Sequence, residues 1–201
     1  YGKTELWIEL LRMINYYLPL MRGKAMTPEE TEHFYQIWQP LFDKILNVPQ
    51  GMMHFDFHGD NILLRNDTPT STDAFALIDF QDAALGPVTY DAASFIWNDR
   101  HYVEAPQRAK LIDYYCEKTG MDKQQFLDSA ELITIQRAMK NMGGVCKWVA
   151  LANRTDLLKV LPNFTMLPLQ ILPHRQDCAA LYAWWKENVE RYRGKEEKLA
   201  A

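Results

Sequence analysis

The stretch His54-Phe-Asp-Phe-His-Gly-Asp-Asn-Ile-Leu-Leu64, with Ala76-Leu-Ile-Asp-Phe-Gln-Asp82 shortly after it, decides how this chain is read. Together they spell H-x-D-x-x-x-x-N and then an apolar run ending in Ile78-Asp79-Phe80. The spacing predicts Asp56 and Asn61 at the two ends of one tight loop, with Asp79 at the end of a following strand. Two carboxylates and an amide in that order suit transfer of a phosphoryl group. One carboxylate must sit beside the acceptor hydroxyl, while an amide and a second carboxylate hold magnesium on the nucleotide phosphates.

These residues resemble the catalytic core of the aminoglycoside phosphotransferase and choline kinase family, relatives of the protein kinases. The resemblance implies that Asp56 is the catalytic residue and that Asn61 and Asp79 are metal ligands. Asp79-Phe80-Gln81 stands where protein kinases carry D-F-G. His54 matches the histidine that braces the loop. A third block, Gly86-Pro-Val-Thr-Tyr-Asp91, resembles the segment that follows the metal aspartate, and Asp91 is expected to open a helix supporting the loop. The strings Ile78-Asp-Phe-Gln-Asp-Ala83 and Gly86-to-Asp91, with Gln136-Arg137, are most similar to the branch that phosphorylates the anomeric hydroxyl of N-acetylmuramate and N-acetylglucosamine. ATP as co-substrate, Mg²⁺ as cofactor and a small-molecule hydroxyl acceptor follow from the resemblance, which covers roughly residues 25–192 in layout.

The fold class expected is α+β: a mainly helical C-terminal lobe of a protein-kinase-like fold, with a small β-hairpin carrying the catalytic loop. The N-lobe is expected to be absent from this chain. Its nine glycines form no G-x-G-x-x-G or Walker A pattern, and nothing before residue 51 alternates like a sheet. The chain begins at Tyr1, so it is read as a fragment of a longer enzyme, weakly active or inactive alone.

Outside the motif, the 201 residues are expected to form one lobe: helices over 4–48, the catalytic hairpin over 51–82 and a helical subdomain over 91–192. Trp7, Leu10, Leu11, Ile14, Tyr17, Leu18 and Met21 trace one helical stripe. Thr27, Pro28 and Glu30 spell a capping box before a second helix, whose buried face is Phe34, Ile37, Trp38, Leu41, Phe42 and Ile45. Strands are expected at 61–65 and 74–80, joined by a polar surface turn over 66–73. Further helices are expected at 91–98, 106–119, 123–152 and 176–192, with Asp122 and Gln125 as a reciprocal cap. Pro162, Pro168 and Pro173 exclude one uninterrupted helix over 160–174, and the charged residues 193–201 are expected to fray.

With 48% hydrophobic and 24% charged residues, the chain can bury a sizeable core. A net charge of −4 with scattered Lys and Arg argues against nucleic acid as a partner. No apolar run approaches the roughly 20 residues of a membrane span. Cys116, Cys146 and Cys178 are odd in number and widely spaced, which reads as reduced, mostly buried thiols of a cytoplasmic protein.

Other candidates are weaker. His58 and Asp60 either face the substrate or only shape the loop, and Asp82 either reaches the floor of the site or is a solvated turn carboxylate. Asp99 is a candidate for orienting sugar hydroxyls. Arg137 and Lys140 share a helical face that either meets an acidic acceptor or forms a surface charge pair. Trp148, Trp184 and Trp185 are read as core before sugar platforms. Two competing readings remain open. One is a metal-dependent hydrolase, because Asp56-x-His58-x-Asp60-Asn61 mimics a zinc-ligand string, with His101 and His174 as further ligands. The other is a kinase-like module that binds without turnover.

Overall fold

Helix signals account for most of the chain. A computed structural model describes residues 1–65, 71–98 and 103–200. In chain order it contains α1 (Lys3–Arg12), a π-helical segment (Met13–Tyr17), α2 (Leu18–Arg22), α3 (Pro28–Leu46), β1 (Gln50–Met53), β2 (Ile62–Leu64), β3 (Phe75–Leu77), β4 (Ala84–Pro87), α4 (Thr89–Ile96), α5 (Ala105–Thr119), α6 (Lys123–Ala152), α7 (Leu161–Ile171), α8 (Ala179–Asn188) and α9 (Lys195–Ala200). The chain divides into two units. One comprises Tyr1 and Ile45–Ala130, the other Gly2–Lys44 and Glu131–Ala201, so the boundary falls inside α3 and inside α6.

The second unit is wholly helical. α3 starts as its sequence requires: the Glu30 N–H donates to Thr27 Oγ1 at 3.2 Å, and the Thr27 N–H donates to the Glu30 carboxylate at 2.8 Å. All six residues of its expected face are buried, and Ile45 alone belongs to the other unit. Phe34 stacks near Trp184 at 4.2 Å, and Trp38 near Phe42 at 5.7 Å. Burying each such side chain contributes on the order of 1.5–3 kcal/mol.

The stripe on the first helix is only partly as expected. Leu10, Ile14, Tyr17, Leu18 and Met21 are buried, but Trp7 and Leu11 are half-exposed while Leu6, Glu9 and Met13 turn inward. Leu6, Leu10 and Met13 succeed one another at intervals of four and three residues on one α-helical face, and a wider π turn follows, in which the Leu18 N–H reaches the Met13 carbonyl. It precedes Pro19, whose ring would crowd the carbonyl four residues back in a regular α-helix. Gly143 of α6 lies against the backbone of Arg12 and Met13 here, with no room for a Cβ.

Two charged clusters lie in this unit, the first nearly buried and the second partly exposed. Glu9 pairs with Lys140 at 2.5 Å, and Gln136 Nε2 donates to the other Glu9 oxygen at 3.0 Å. Arg175 donates to Asp177 at 2.7 Å and to Glu131 at 2.9 Å, and Lys44 adds a contact of 2.8 Å to Asp177. The Arg175 hydrogen bonds, with Lys44 beside them, hold the Asp177 carboxyl well below the usual carboxylate range.

Near the C-terminus one expectation holds, since 160–174 is not one uninterrupted helix, and one is corrected. Pro168 does not break α7: Pro162 occupies its first turn and Pro168 lies inside it, and the helical run breaks only at Leu172. Residues 195–200 are not frayed. They form α9, with Glu196 buried and Lys195 Nζ donating to the Met21 carbonyl at 2.6 Å, which satisfies an orphan carbonyl at the end of α2.

The first unit holds the strands. β2 pairs antiparallel with β3 in the register Ile62↔Leu77, Leu63↔Ala76 and Leu64↔Phe75. β1 pairs antiparallel with β4, which the sequence reading did not foresee. Gly86 sits where a Cβ would collide with Met53, so glycine permits this close pairing. Tyr1 closes the same edge, its amino group donating to the Leu85 carbonyl at 2.7 Å. Ser129 bonds the Ile45 carbonyl at 2.9 Å and Thr89 at 2.7 Å, tying α6, α3 and α4 within the unit. Asp122 accepts from the Gln125 N–H at 2.9 Å as a cap should, but the Gln125 side chain turns instead to the Asn47 carbonyl at 3.0 Å.

Burial pushes the Cys146 thiol up to about 12 and the Cys178 thiol up to about 11; all three cysteines are free, and Cys116 is half-buried. Among the described residues no helix is long and apolar enough to cross a membrane.

Candidate active site

The loop from His54 to Asn61 leaves β1 and returns through a short 3-10 turn, Gly59–Asn61, into β2. Its first half is hung on α4. One Asp91 oxygen accepts the His54 N–H at 2.5 Å and the other accepts the Phe55 N–H at 3.0 Å. Asp91 thus bonds two amides of the loop, but it does not open the helix: α4 begins at Thr89, placing Asp91 in its first turn. An acidic residue there also suits the helix dipole. The buried His54 ring reaches across to the Ile78 carbonyl at 2.8 Å. A carbonyl only accepts, so Nε2 carries the proton.

The second half gathers three side chains. Asn61 Nδ2 donates to the Asp56 carbonyl at 2.9 Å and lies 3.3 Å from the Asp56 carboxylate. His58 Nε2 is 3.2 Å from the same carboxylate oxygen, and its Nδ1 faces Asp60 at 3.6 Å. With Nε2 protonated, His58 and Asn61 both donate to Asp56. His58 and Asn61 are buried, whereas the Asp56 side chain remains 48% exposed. The pattern leaves Asp56 steadied from below and open above.

Asp79 is not at the end of its strand. β3 stops at Leu77, and one further bond, from the Ile78 N–H to the Asn61 carbonyl at 3.1 Å, ties the chain to the loop. Asp79 then turns out with φ of 62°, exposed, one oxygen accepting from Gln81 at 2.8 Å. Aspartate tolerates this left-handed conformation better than most residues. Ile78 thus meets His54 through its carbonyl and Asn61 through its N–H, which couples the Asp79 turn to the loop.

The remaining candidates separate. Asp60 is exposed beside His58, and Asp82 is exposed in the turn before β4. Arg137 is half-buried on α6 in the second unit. Lys140 is committed to Glu9 and is neither a surface charge nor placed to meet an acidic acceptor. Trp184 and Trp185 are core, and Trp148 is exposed. Asp99 and His101 lie outside the described residues, as does most of the 66–73 turn. The hydrolase reading loses its ground: His58 hydrogen-bonds Asp56 instead of joining it around a cavity, and among the described residues no three His, Cys, Asp or Glu side chains are grouped to hold a metal ion.

Phe55, Gln81 and Tyr90 escaped the sequence reading. Phe55 has φ of 76°, an unusual value for a bulky residue, and its ring stacks on Tyr90. The face of the strands is also apolar where polarity is usual. Met52 and Leu85 are register partners at 83% and 72% exposure, and Leu64, Phe75, Leu77 and Phe80 are exposed as well.

The chain belongs to the phosphotransferase enzyme family, whose model matches residues 5–127. It is similar to curated proteins named N-acetylmuramate/N-acetylglucosamine kinase from three bacteria. The one from Pseudomonas putida is 25% identical over 79% of this chain and 47% of the relative. The one from Neisseria meningitidis is 25% identical over 90% of this chain and 55% of the relative. The one from Pseudomonas aeruginosa is 28% identical over 71% of this chain and 43% of the relative. The chain spans about half the length of the curated relatives it matches.

Proposed function

We propose that this protein serves ATP-dependent phosphorylation of a hydroxyl on a small molecule, with an amino-sugar as the acceptor. The observation that carries the reading is the Asp56 carboxylate, steadied by His58 and Asn61 and still half open to solvent. A group so placed orients an acceptor hydroxyl and takes its proton as the new O–P bond forms. The amino-sugar is favoured by the names of the relatives and by the Asp79-to-Ala83 string.

The donor set suits magnesium. Asn61 uses its nitrogen on Asp56, which leaves the amide oxygen for a cation, and Asp79 is an exposed carboxylate. Both are hard oxygen ligands, and Mg²⁺ is content with one or two of them plus phosphate and water. When bound, the ion neutralises charge on the phosphates. In this reading His54 and Asp91 brace the loop, His58 holds Asp56, and Asp60, Asp82, Asp99 and Arg137 are the weaker acceptor candidates. The exposed apolar strand face offers a nucleotide base a dry surface. The two units together would make one kinase-like C-terminal lobe, working in the cytoplasm.

The test is ADP release with N-acetylglucosamine, N-acetylmuramate, choline and kanamycin as acceptors. Turnover with an amino-sugar that needs magnesium and disappears in Asp56→Ala supports the reading. Turnover that survives Asp56→Ala sinks it.

A further inference from the structure

Phe55 stands immediately before Asp56 with φ of 76°. In that region Cβ crowds the following carbonyl, so glycine adopts it readily and a bulky side chain does not. Two neighbours on α4 grip this residue. Asp91 accepts its N–H, and Tyr90 lies flat under its ring with centroids 5.2 Å apart and planes 13° apart. Tyr1 meets both rings edge-on, at 5.2 Å from Phe55 and 5.5 Å from Tyr90. Tyr90 is fully buried at 0% exposure, a rigid floor. Asp56 rests on His58 and Asn61 only through its carboxylate, and nearly half of its side chain is in solvent, so its aim depends on the backbone that carries it.

We propose that Tyr90 and Phe55 are a positioning pair: the ring stack holds residue 55 in the left-handed conformation and so aims the Asp56 carboxylate at His58 and Asn61. Rotating residue 55 back to the ordinary region would swing the Cα–Cβ bond of Asp56 away from both partners. Asp91 by itself pins the N–H groups and leaves the ring side unfixed. The kinetic consequence rests on the reading of Asp56 given above; the conformational claim does not.

Alanine and glycine at position 55 separate aiming from mere packing. Both delete the ring, but only glycine accepts φ near 76° without resistance. If the ring only fills space, glycine is no better than alanine, because it loses more chain entropy on folding. If the ring holds a conformation, glycine is better.

The experiment compares Phe55→Ala, Phe55→Gly, Phe55→Tyr and Tyr90→Leu in the full chain, reading amide exchange at residue 55 and kcat and KM by ADP release with N-acetylglucosamine. Phe55→Ala and Tyr90→Leu are expected to speed exchange at that amide about tenfold or more. Their kcat is expected to fall about tenfold with KM for both substrates within about twofold. Phe55→Tyr keeps the stack and stays near the parent, while Phe55→Gly recovers to within about threefold of it. Phe55→Gly equal to or worse than Phe55→Ala in both readouts would overturn the proposal, as would unchanged exchange in Tyr90→Leu. Should Tyr90→Leu not fold, the order of the two Phe55 variants decides, since Phe55 is only half-buried. An unaltered chain without turnover is the outcome expected of a chain weakly active or inactive alone, and the exchange order alone then decides the positioning claim.

Discussion

Glu9 and Lys140 meet with only 8% and 12% of their side chains exposed, and Gln136 closes the remaining carboxylate oxygen. Asp56, His58 and Asn61 are the same kinds of group, joined at slightly longer distances, but the carboxylate faces water. In the first cluster both carboxylate oxygens of Glu9 are engaged and shut away from water, and it serves stability. The second holds one group still and keeps a lone-pair face in reserve, which is what a site for a ligand requires. Residue chemistry therefore does not separate structure from function in this chain; closure does.

The largest effect should come from the open cluster. Asp56→Ala is expected to lower kcat by about 10²–10⁴-fold, the range for removing a positioned base, while leaving the melting temperature nearly unchanged. A large loss of stability instead would show that the loop is a structural network like the other. The closed cluster should behave in the opposite way. Lys140→Met is expected to cost about 3–5 kcal/mol in chemical denaturation, because the buried Glu9 carboxylate loses the ammonium that faces it. The double variant Glu9→Leu with Lys140→Met should recover most of that loss.

Gly143→Val tests the same unit by volume. No Cβ fits against the Arg12–Met13 backbone, so a destabilisation of about 1–3 kcal/mol is expected, with kcat retained while the chain is folded. The smallest effect is on acid stability. Asp177 titrates below its ordinary value in the folded chain, so the unfolded chain takes up the proton first as pH falls. Its contribution is present above about pH 4 and is lost on descending toward the folded value. Asp177→Asn should flatten the fall of stability between about pH 5 and pH 2 in urea melts. An unchanged slope would show that Arg175 and Lys44 do not act on this group.

Local rules were sufficient for α3, because its cap and its stripe are both written in consecutive residues. They were sufficient for β2 and β3 and for the loop between β1 and β2, where an apolar run and a fixed motif spacing lie close in sequence. They missed β1 and β4, whose residues Gln50-Gly-Met-Met53 and Ala84-Leu-Gly-Pro87 have weak strand character and pair only with each other. They also missed the inward turn of Glu9, since its partners Lys140 and Gln136 lie on α6, far away in the chain. Lys140 was read either as meeting an acceptor or as part of a surface charge pair, because its partner sits on α1, far away in the chain.

The sequence by itself determined the motif, most of the helices and the β2–β3 pair, and thereby the family, because capping, periodicity and motif spacing act over a few residues. The tertiary structure alone decided which charges are closed and which are open, and that a phenylalanine stands where the backbone favours glycine. Those outcomes depend on what lies across from each residue. Lys140 reaches Glu9, and Asp91 and Tyr90 reach Phe55, only once distant segments have folded together.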